Sequence, residues 1–344
     1  PPPSPPPPSS PPPSPPPPAA PPLLPPPPPA PSSPPSPARP PPQPPPPPPN
    51  PCINLVRPGA DFSSCRNLRF ADLRGTKLMS ANMQGVDLRG ARLQGADLTE
   101  ATVTDADLRM ASFVNSILFK TDLSFSDATH TSFAHADLRE APMTHTVAHF
   151  ANFSHADLRG AKMFSMHQAS NVNFDGADMS GTACTDNRFL LASFKGTIFK
   201  NVYFEDTHMT NSIFENNNFE NVIFVDSRLQ NCTLRNVNLD GASLRDLRAE
   251  FADFNGASIR NANLKMASMS GIDGRGVDFS HSNLLGCDLT RANLANAHFF
   301  QAEIFETVFA GANLNKADFR EARGANVANF KKIVGQPSNL GLSP

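Results

Sequence analysis

From Leu68 to Phe319 a large apolar side chain returns at every fifth position, as at Leu68, Leu73, Leu78, Met83, Leu88, Leu93 and Leu98. Up to Met163 every such centre is apolar, and only Ala128 and Ala148 are small. From Phe174 onward the centres are Leu, Ile, Met or Phe except at Cys184, Ala249 and Gly274. A helix returns a side chain to one face about every 3.6 residues and a flat strand every second residue, so neither keeps a period of five on one side. A coil that turns a corner once per repeat does. Two residues before most centres stands a small side chain, as in Ala71, Ala81, Ala96, Ala106 and Ala136. The pattern predicts an all-β solenoid in which the centre and this small residue point inward and the other three residues point outward.

The repeat reads Ala-Asp/Asn-Leu/Phe-x-x, and Ala-Asp-Leu-Arg stands intact at 71–74, 106–109, 136–139 and 156–159. On these residues the chain resembles the pentapeptide-repeat proteins. The resemblance implies a right-handed quadrilateral β-helix with four pentapeptides per coil. Residues 68–322 then form about 13 coils, stacked at ~4.8 Å into a rod of ~60 Å.

Residues 20 apart should lie above one another, and one irregularity tests this. The step from Met163 to Phe174 is one residue too long for two repeats, so a one-residue bulge is expected between Phe164 and Ser170. With that shift Phe113, Phe133, Phe153, Phe174, Phe194 and Phe214 form one aromatic ladder. At Leu247 and Ala249 the large and small inward residues exchange places, conserving interior volume. Gly274 has only Ile272 to fill in for it, so a distortion or small void is expected there.

A β-helix exposes unpaired backbone at both ends. Residues 52–67 carry Ile53, Leu55, Val56 and Phe62 for an N-terminal cap, and Cys52 and Cys65 flank it as a disulfide candidate. Closing that loop is worth ~3 kcal/mol in the chain-entropy model. Cys184, Cys232 and Cys287 fall on inward positions. Over residues 323–344, Val327, Phe330, Ile333 and Val334 share one helical face before Gly335 and Pro337, which predicts a short capping helix and tail.

Composition separates a second region. The chain has 39 prolines, nearly all before residue 52, and residues 1–51 hold too little other apolar material to fold. They are expected to form a disordered polyproline II stalk. Its blocks Ser4-Pro5-Pro6-Pro7-Pro8 and Ser14-Pro15-Pro16-Pro17-Pro18 resemble hydroxyproline-rich wall glycoproteins of plants and green algae, which implies an extracellular or cell-wall location. An intracellular ligand for aromatic-lined grooves is the alternative. A chain opening on Pro1 is expected to be a fragment or processed product, with any targeting segment outside it. No apolar run of about 20 residues offers a membrane span.

The scan for chemistry returns little. No phosphate-binding, nucleophile-elbow or zinc-protease motif occurs. A lumen filled from four sides leaves no room for a small-molecule substrate, so neither an enzyme nor a cofactor is expected. Stacking 20 residues apart makes His135 and His155 a candidate surface metal pair, a solvated corner being the plainer reading. Some pentapeptide-repeat proteins mimic duplex DNA and bind gyrase through a continuous acidic surface. Here the net charge is −2, and Asp72-Leu73-Arg74, Asp87-Leu88-Arg89 and Asp157-Leu158-Arg159 alternate in sign. Basic residues prevail between Arg57 and Arg92, and acidic ones between Asn201 and Asp226. The expected function is a non-enzymatic structural or protein-interaction rod, monomeric or homodimeric, with a protein or matrix partner. An intracellular adaptor and a topoisomerase-binding DNA mimic are the alternatives.

Overall fold

The computed structural model describes residues 51–340, and the expected stalk lies, Pro51 apart, outside the described residues. After a 3₁₀ helix at Pro51–Leu55, parallel bridges join residues four repeats apart along the chain. Asn67 pairs with Asp87, Asp72 with Arg92, Lys77 with Asp97 and Asn82 with Thr102, one bridge for each of four sides. On one side the pairing lengthens into a parallel sheet of β1 (Lys162–Phe164), β2 (Ala183–Thr185), β3 (Tyr203–Glu205) and β4 (Ile223–Val225), in that order.

Most repeats close through a tight hydrogen-bonded turn. The Ala71 N–H donates to the Leu68 carbonyl at 3.1 Å, and Phe70 between them has φ 55°. Such a turn needs φ > 0 at its third residue, which glycine and asparagine supply at small cost. Phe70, Met110, Phe125, Phe150, Leu191 and Phe251 occupy the same position with bulky exposed side chains, at ~1–2 kcal/mol each relative to an unstrained residue.

The lumen is filled. Phe113, Phe133, Phe153, Phe174, Phe194 and Phe214 stack with successive centroids 5.1, 4.9, 5.2, 5.0 and 4.7 Å apart. Where the small inward position is polar, its side chain reaches a carbonyl of its own turn, as Ser116 and Ser126 do, or of the preceding coil. Thr121 Oγ1 donates to Leu98 O at 2.7 Å, Thr131 Oγ1 to Leu108 O at 2.6 Å and Asn217 Nδ2 to Phe194 O at 2.8 Å. These bonds make polar groups tolerable in a wall that otherwise excludes water.

The bulge falls within the expected interval. Pro142 pairs with Lys162, whereas Asn152 pairs with Asn173 and Asp157 with Asp178, one residue later. Met166 and Ala169 remain buried while His167 and Gln168 are exposed, so the extra residue leaves the wall without interrupting the coil. Leu247 and Ala249 are both buried, as their exchange requires.

Two expectations need correction. The site of the void expected at Gly274 is occupied: a methyl added there would meet Leu294 at 3.0 Å, Val277 at 3.2 Å and Ile272 at 3.4 Å. Backbone bonding through Gly274 is also regular.

The capping helix does not form. Instead the coil continues, Val308 pairing with Asn329 and Asn313 with Val334, after a turn at Gly324 absorbs one more residue. Phe330 stacks on Phe309 at 5.0 Å, while Val327 and Val334 of the proposed helical face are exposed. A helix of about ten residues is marginal alone, and the open edge of the preceding coil offers the same backbone its hydrogen bonds.

The ladder sets a scale for mutation. Phe194→Ala is expected to lower unfolding stability by ~3–5 kcal/mol, whereas Val334→Ala on the terminal coil should change it by under ~0.5 kcal/mol. Equal effects in urea denaturation would contradict the stacked interior.

Candidate interaction surface

With both inward positions of each repeat occupied by side chains, chemistry is confined to the outside. The N-terminal coils are laced by ion pairs that follow from an Asp before the centre and an Arg after it. These two outward neighbours meet on one flat side. Arg74 grips Asp72 through Nε and Nη2 at 2.7 and 2.6 Å. Arg89 holds Asp87 the same way and reaches Asp107 of the next coil at 3.2 Å. Arg109 binds Asp107 and stands 3.5 Å from Asp127. Arg139 and Arg159 repeat the arrangement with Asp137, Asp157 and Asp178. The Arg74 hydrogen bond holds the Asp72 carboxyl at about 2, below its ordinary 3.8. Hydrogen bonds from Arg89 and Arg109 likewise lower Asp87 and Asp107.

The histidines stack. His135 and His155 lie 4.9 Å apart with rings 7° from parallel, and His130 lies 4.8 Å from Phe150 at 8°. Imidazole lone pairs lie in the ring plane, so parallel stacked rings direct them along separate planes and not toward one point. Among the described residues no group of three or more His, Cys, Asp or Glu is placed to hold a metal ion.

The structure joins Cys52 and Cys65 through their sulfurs, with Cα atoms 5.6 Å apart. Cys184, Cys232 and Cys287 are buried thiols. Burial pushes all three up, Cys232 to about 12, which makes them poor nucleophiles.

A feature the sequence reading missed lies on the side beyond β1–β4. Asp186-Asn187-Arg188, Asp206-Thr207-His208, Asp226-Ser227-Arg228 and Asp246-Leu247-Arg248 recur 20 residues apart. They set a column of acids on one corner beside a column of bases on the adjoining side. An open groove of about 610 Å³ runs there, lined by Asp206, Asp226, Asp246, Arg228, Arg248 and Glu250 among others. The volume argument against small-molecule sites therefore applies to the lumen and not to the surface. Comparing outward positions at the coil repeat, and not only along the chain, would have exposed these columns.

Two outcomes follow from these groups. Carboxylates whose folded pKa is depressed stabilise fully above the unfolded value and lose that contribution as pH falls through the folded one. Stability should therefore fall between about pH 4 and pH 2, and Arg89→Gln combined with Arg109→Gln should flatten that slope. An unchanged slope in thermal melts against pH would contradict the network. Reducing an oxidised Cys52–Cys65 pair should cost ~3 kcal/mol and fray the first coil, read by amide exchange at Phe62 and Leu68. Unaltered protection there would show that the cap holds without the bridge.

Comparison with known proteins agrees with this architecture. A family model described as pentapeptide repeats (8 copies) matches residues 59–95, 96–133, 129–163, 238–273 and 275–304. A second, described as a pentapeptide repeat region, matches residues 165–244. No protein of curated function matches the chain. Among solved structures, HetL, a pentapeptide repeat protein involved in heterocyst differentiation regulation from Nostoc sp. strain PCC 7120, is 21% identical. That match covers 74% of this chain and 87% of HetL at a TM-score of 0.18. Rfr23 from the cyanobacterium Cyanothece 51142 is 17% identical, covering 32% of this chain and 87% of its own at a TM-score of 0.31. QnrB1, a plasmid-mediated fluoroquinolone resistance protein, is 18% identical, covering 54% of this chain and 86% of its own at a TM-score of 0.34. On its repeats and the family models that match them, the chain belongs to the pentapeptide-repeat family.

Proposed function

We propose that the protein is a non-catalytic structural or protein-interaction rod, carried on its Pro-rich segment as a stalk and associated with a wall or matrix. The observation that carries this reading is the full lumen. The centres and the residues two before them are buried almost without exception, leaving the flat sides and corner columns to meet a partner. The groove along Asp226 and Arg228 and the one at Arg260 and Asp278 are lined largely by charged and polar groups and lack the apolar walls usual for small-molecule sites. Among the described residues no helix is long and apolar enough to cross a membrane.

The wall location draws support from the Ser-Pro blocks and from the Cys52–Cys65 pair, since such bridges persist in oxidising compartments. An intracellular adaptor, its Pro-rich tail docking into aromatic-lined grooves, is the competing reading. A DNA-mimic role calls for an uninterrupted acidic surface. In the N-terminal coils Arg74, Arg89, Arg109, Arg139 and Arg159 each neutralise the adjacent Asp.

Amino-acid and glycan analysis of the native protein separates these readings. Hydroxyproline with attached sugar in residues 1–51 is expected for the wall reading, and unmodified proline would favour the adaptor. In a gyrase assay the full chain is expected to leave supercoiling unaffected. Inhibition at stoichiometric ratio would replace the proposal with the DNA-mimic reading.

A further inference from the structure

The two charged columns differ from the ion pairs of the N-terminal coils in one respect. Asp186, Asp206, Asp226 and Asp246 occupy successive turn positions on one corner, with φ 56°, 45°, 52° and 55°. Arg188, His208, Arg228 and Arg248 stand in mid-side, each bridged to the next. Rungs of like charge thus repeat at ~4.8 Å, an arrangement in which neighbours repel.

In the N-terminal coils Arg89, Arg109, Arg139 and Arg159 relieve this repulsion by lying against carboxylates of their own coil and the next. Here, among the described residues, none of Arg188, Arg228 and Arg248 has a carboxylate at ion-pair distance. Between the columns His208 stands 3.7 Å from Asp206, and two of the acids are held from outside the base column, Asp186 by His167 at 2.8 Å and Asp246 by Arg245 at 2.9 Å. Burial first, and then Arg228, hold the His208 imidazole below its ordinary range, so the bases feel one another. The cause is local. Asp72 and Arg74 flank a centre on one flat side, whereas Asp226 and Arg228 are separated by a corner that directs the two side chains apart.

An acid column beside a base column is its own complement. A two-fold axis parallel to the coil axis, lying between the columns, sets the acids of one copy against the bases of the other, rung for rung. Asp226 then faces Arg228 of the second copy, and Asp246 faces its Arg248. A two-fold axis across the rod would set acid on acid. We propose that this side of the rod is the interface between two copies of the chain, packed with their axes parallel.

The same corner column continues to Met266 at one end and Phe125 at the other, exposed at 55% and 58%. These supply apolar contact on either side of the charged rungs. Seven coils separate them, a strip of ~34 Å at the usual spacing. So narrow a strip falls toward the small end of specific interfaces, and its charges make it salt-sensitive. The inference rests on the reading of the rod as an interaction protein and names one partner for it.

Sedimentation velocity of the full chain tests it. At ~0.1 mM protein and ~0.02 M salt the chain should be dimeric, and at ~0.5 M salt the apparent dissociation constant should rise by about tenfold or more. Asp226→Arg with Asp246→Arg makes both columns basic at these two rungs, and Arg228→Asp with Arg248→Asp makes both acidic there. Each variant alone should be monomeric, while their equimolar mixture should dimerise. If either reversal fails to fold by circular dichroism, the neutral set Asp226→Asn, Asp246→Asn, Arg228→Gln and Arg248→Gln should fold and remain monomeric. A monomeric parent chain at low salt, a mixture that does not associate, or charge variants that dimerise like the parent would each overturn the interface. Those results would leave the interaction rod standing with a different partner, because its own test lies in the stalk and supercoiling assays.

Discussion

Hydrogen bonding between coils, in register at four pentapeptides, is the constraint from which the other features follow. A backbone that turns four corners per coil must bring each outward residue under its counterpart, or its N–H and C=O groups go unpaired. Asp61 over Asn82 and Asp318 over Ser338 are the first and last of these bridges. Once it is fixed, inward positions form ladders whether or not their side chains are aromatic, and outward positions form columns whether or not their charges agree. The chain absorbs three extra residues, between Asp61 and Asn67, at His167–Gln168 and after Gly324, without breaking the pairing on either side. The cost of a local protrusion is smaller than that of an unpaired coil edge.

The interior was legible in the sequence because it obeys one rule with a short period. Every apolar centre, the aromatic ladder, the Leu247/Ala249 exchange and the interval holding the bulge can be read from spacing alone. The two errors share an origin. At Gly274 the reading counted side chains within one coil, but Leu294 of the next coil fills the space. At residues 325–334 an i, i+3 pattern suggested a helix, but Phe309 and the open backbone of the preceding coil recruit Phe330 into the ladder. Both outcomes are set by the adjacent coil, which local pattern does not weigh.

The surface was less legible for the same reason. A reading along the chain saw an acidic stretch between Asn201 and Asp226, whereas the coil sets Asp206 and Asp226 of that stretch in one column with Asp186 and Asp246, a base column beside it. It also placed His135 and His155 together, yet left open whether the rings would converge or stack, which depends on turn geometry. The Asp-x-Arg pairs were visible as alternating charge. Their extension to the following coil, as from Arg89 to Asp107, required the stacking itself. Function on a filled solenoid therefore resides in relations between coils, and a search for contiguous motifs passes over it.

The register across the bulge is the claim on which the placement of both ladders and columns depends, and paired cysteines measure it directly. With Asn152→Cys and Asn173→Cys, an oxidant or short bifunctional thiol reagent should join the two positions as readily as it joins cysteines at Ser132 and Asn152. Both pairs are bridged neighbours. A cysteine at Val172, which points into the lumen, should not couple to position 152. Coupling between positions 152 and 172, with none between 152 and 173, would show that the register does not shift and would contradict the structure described here.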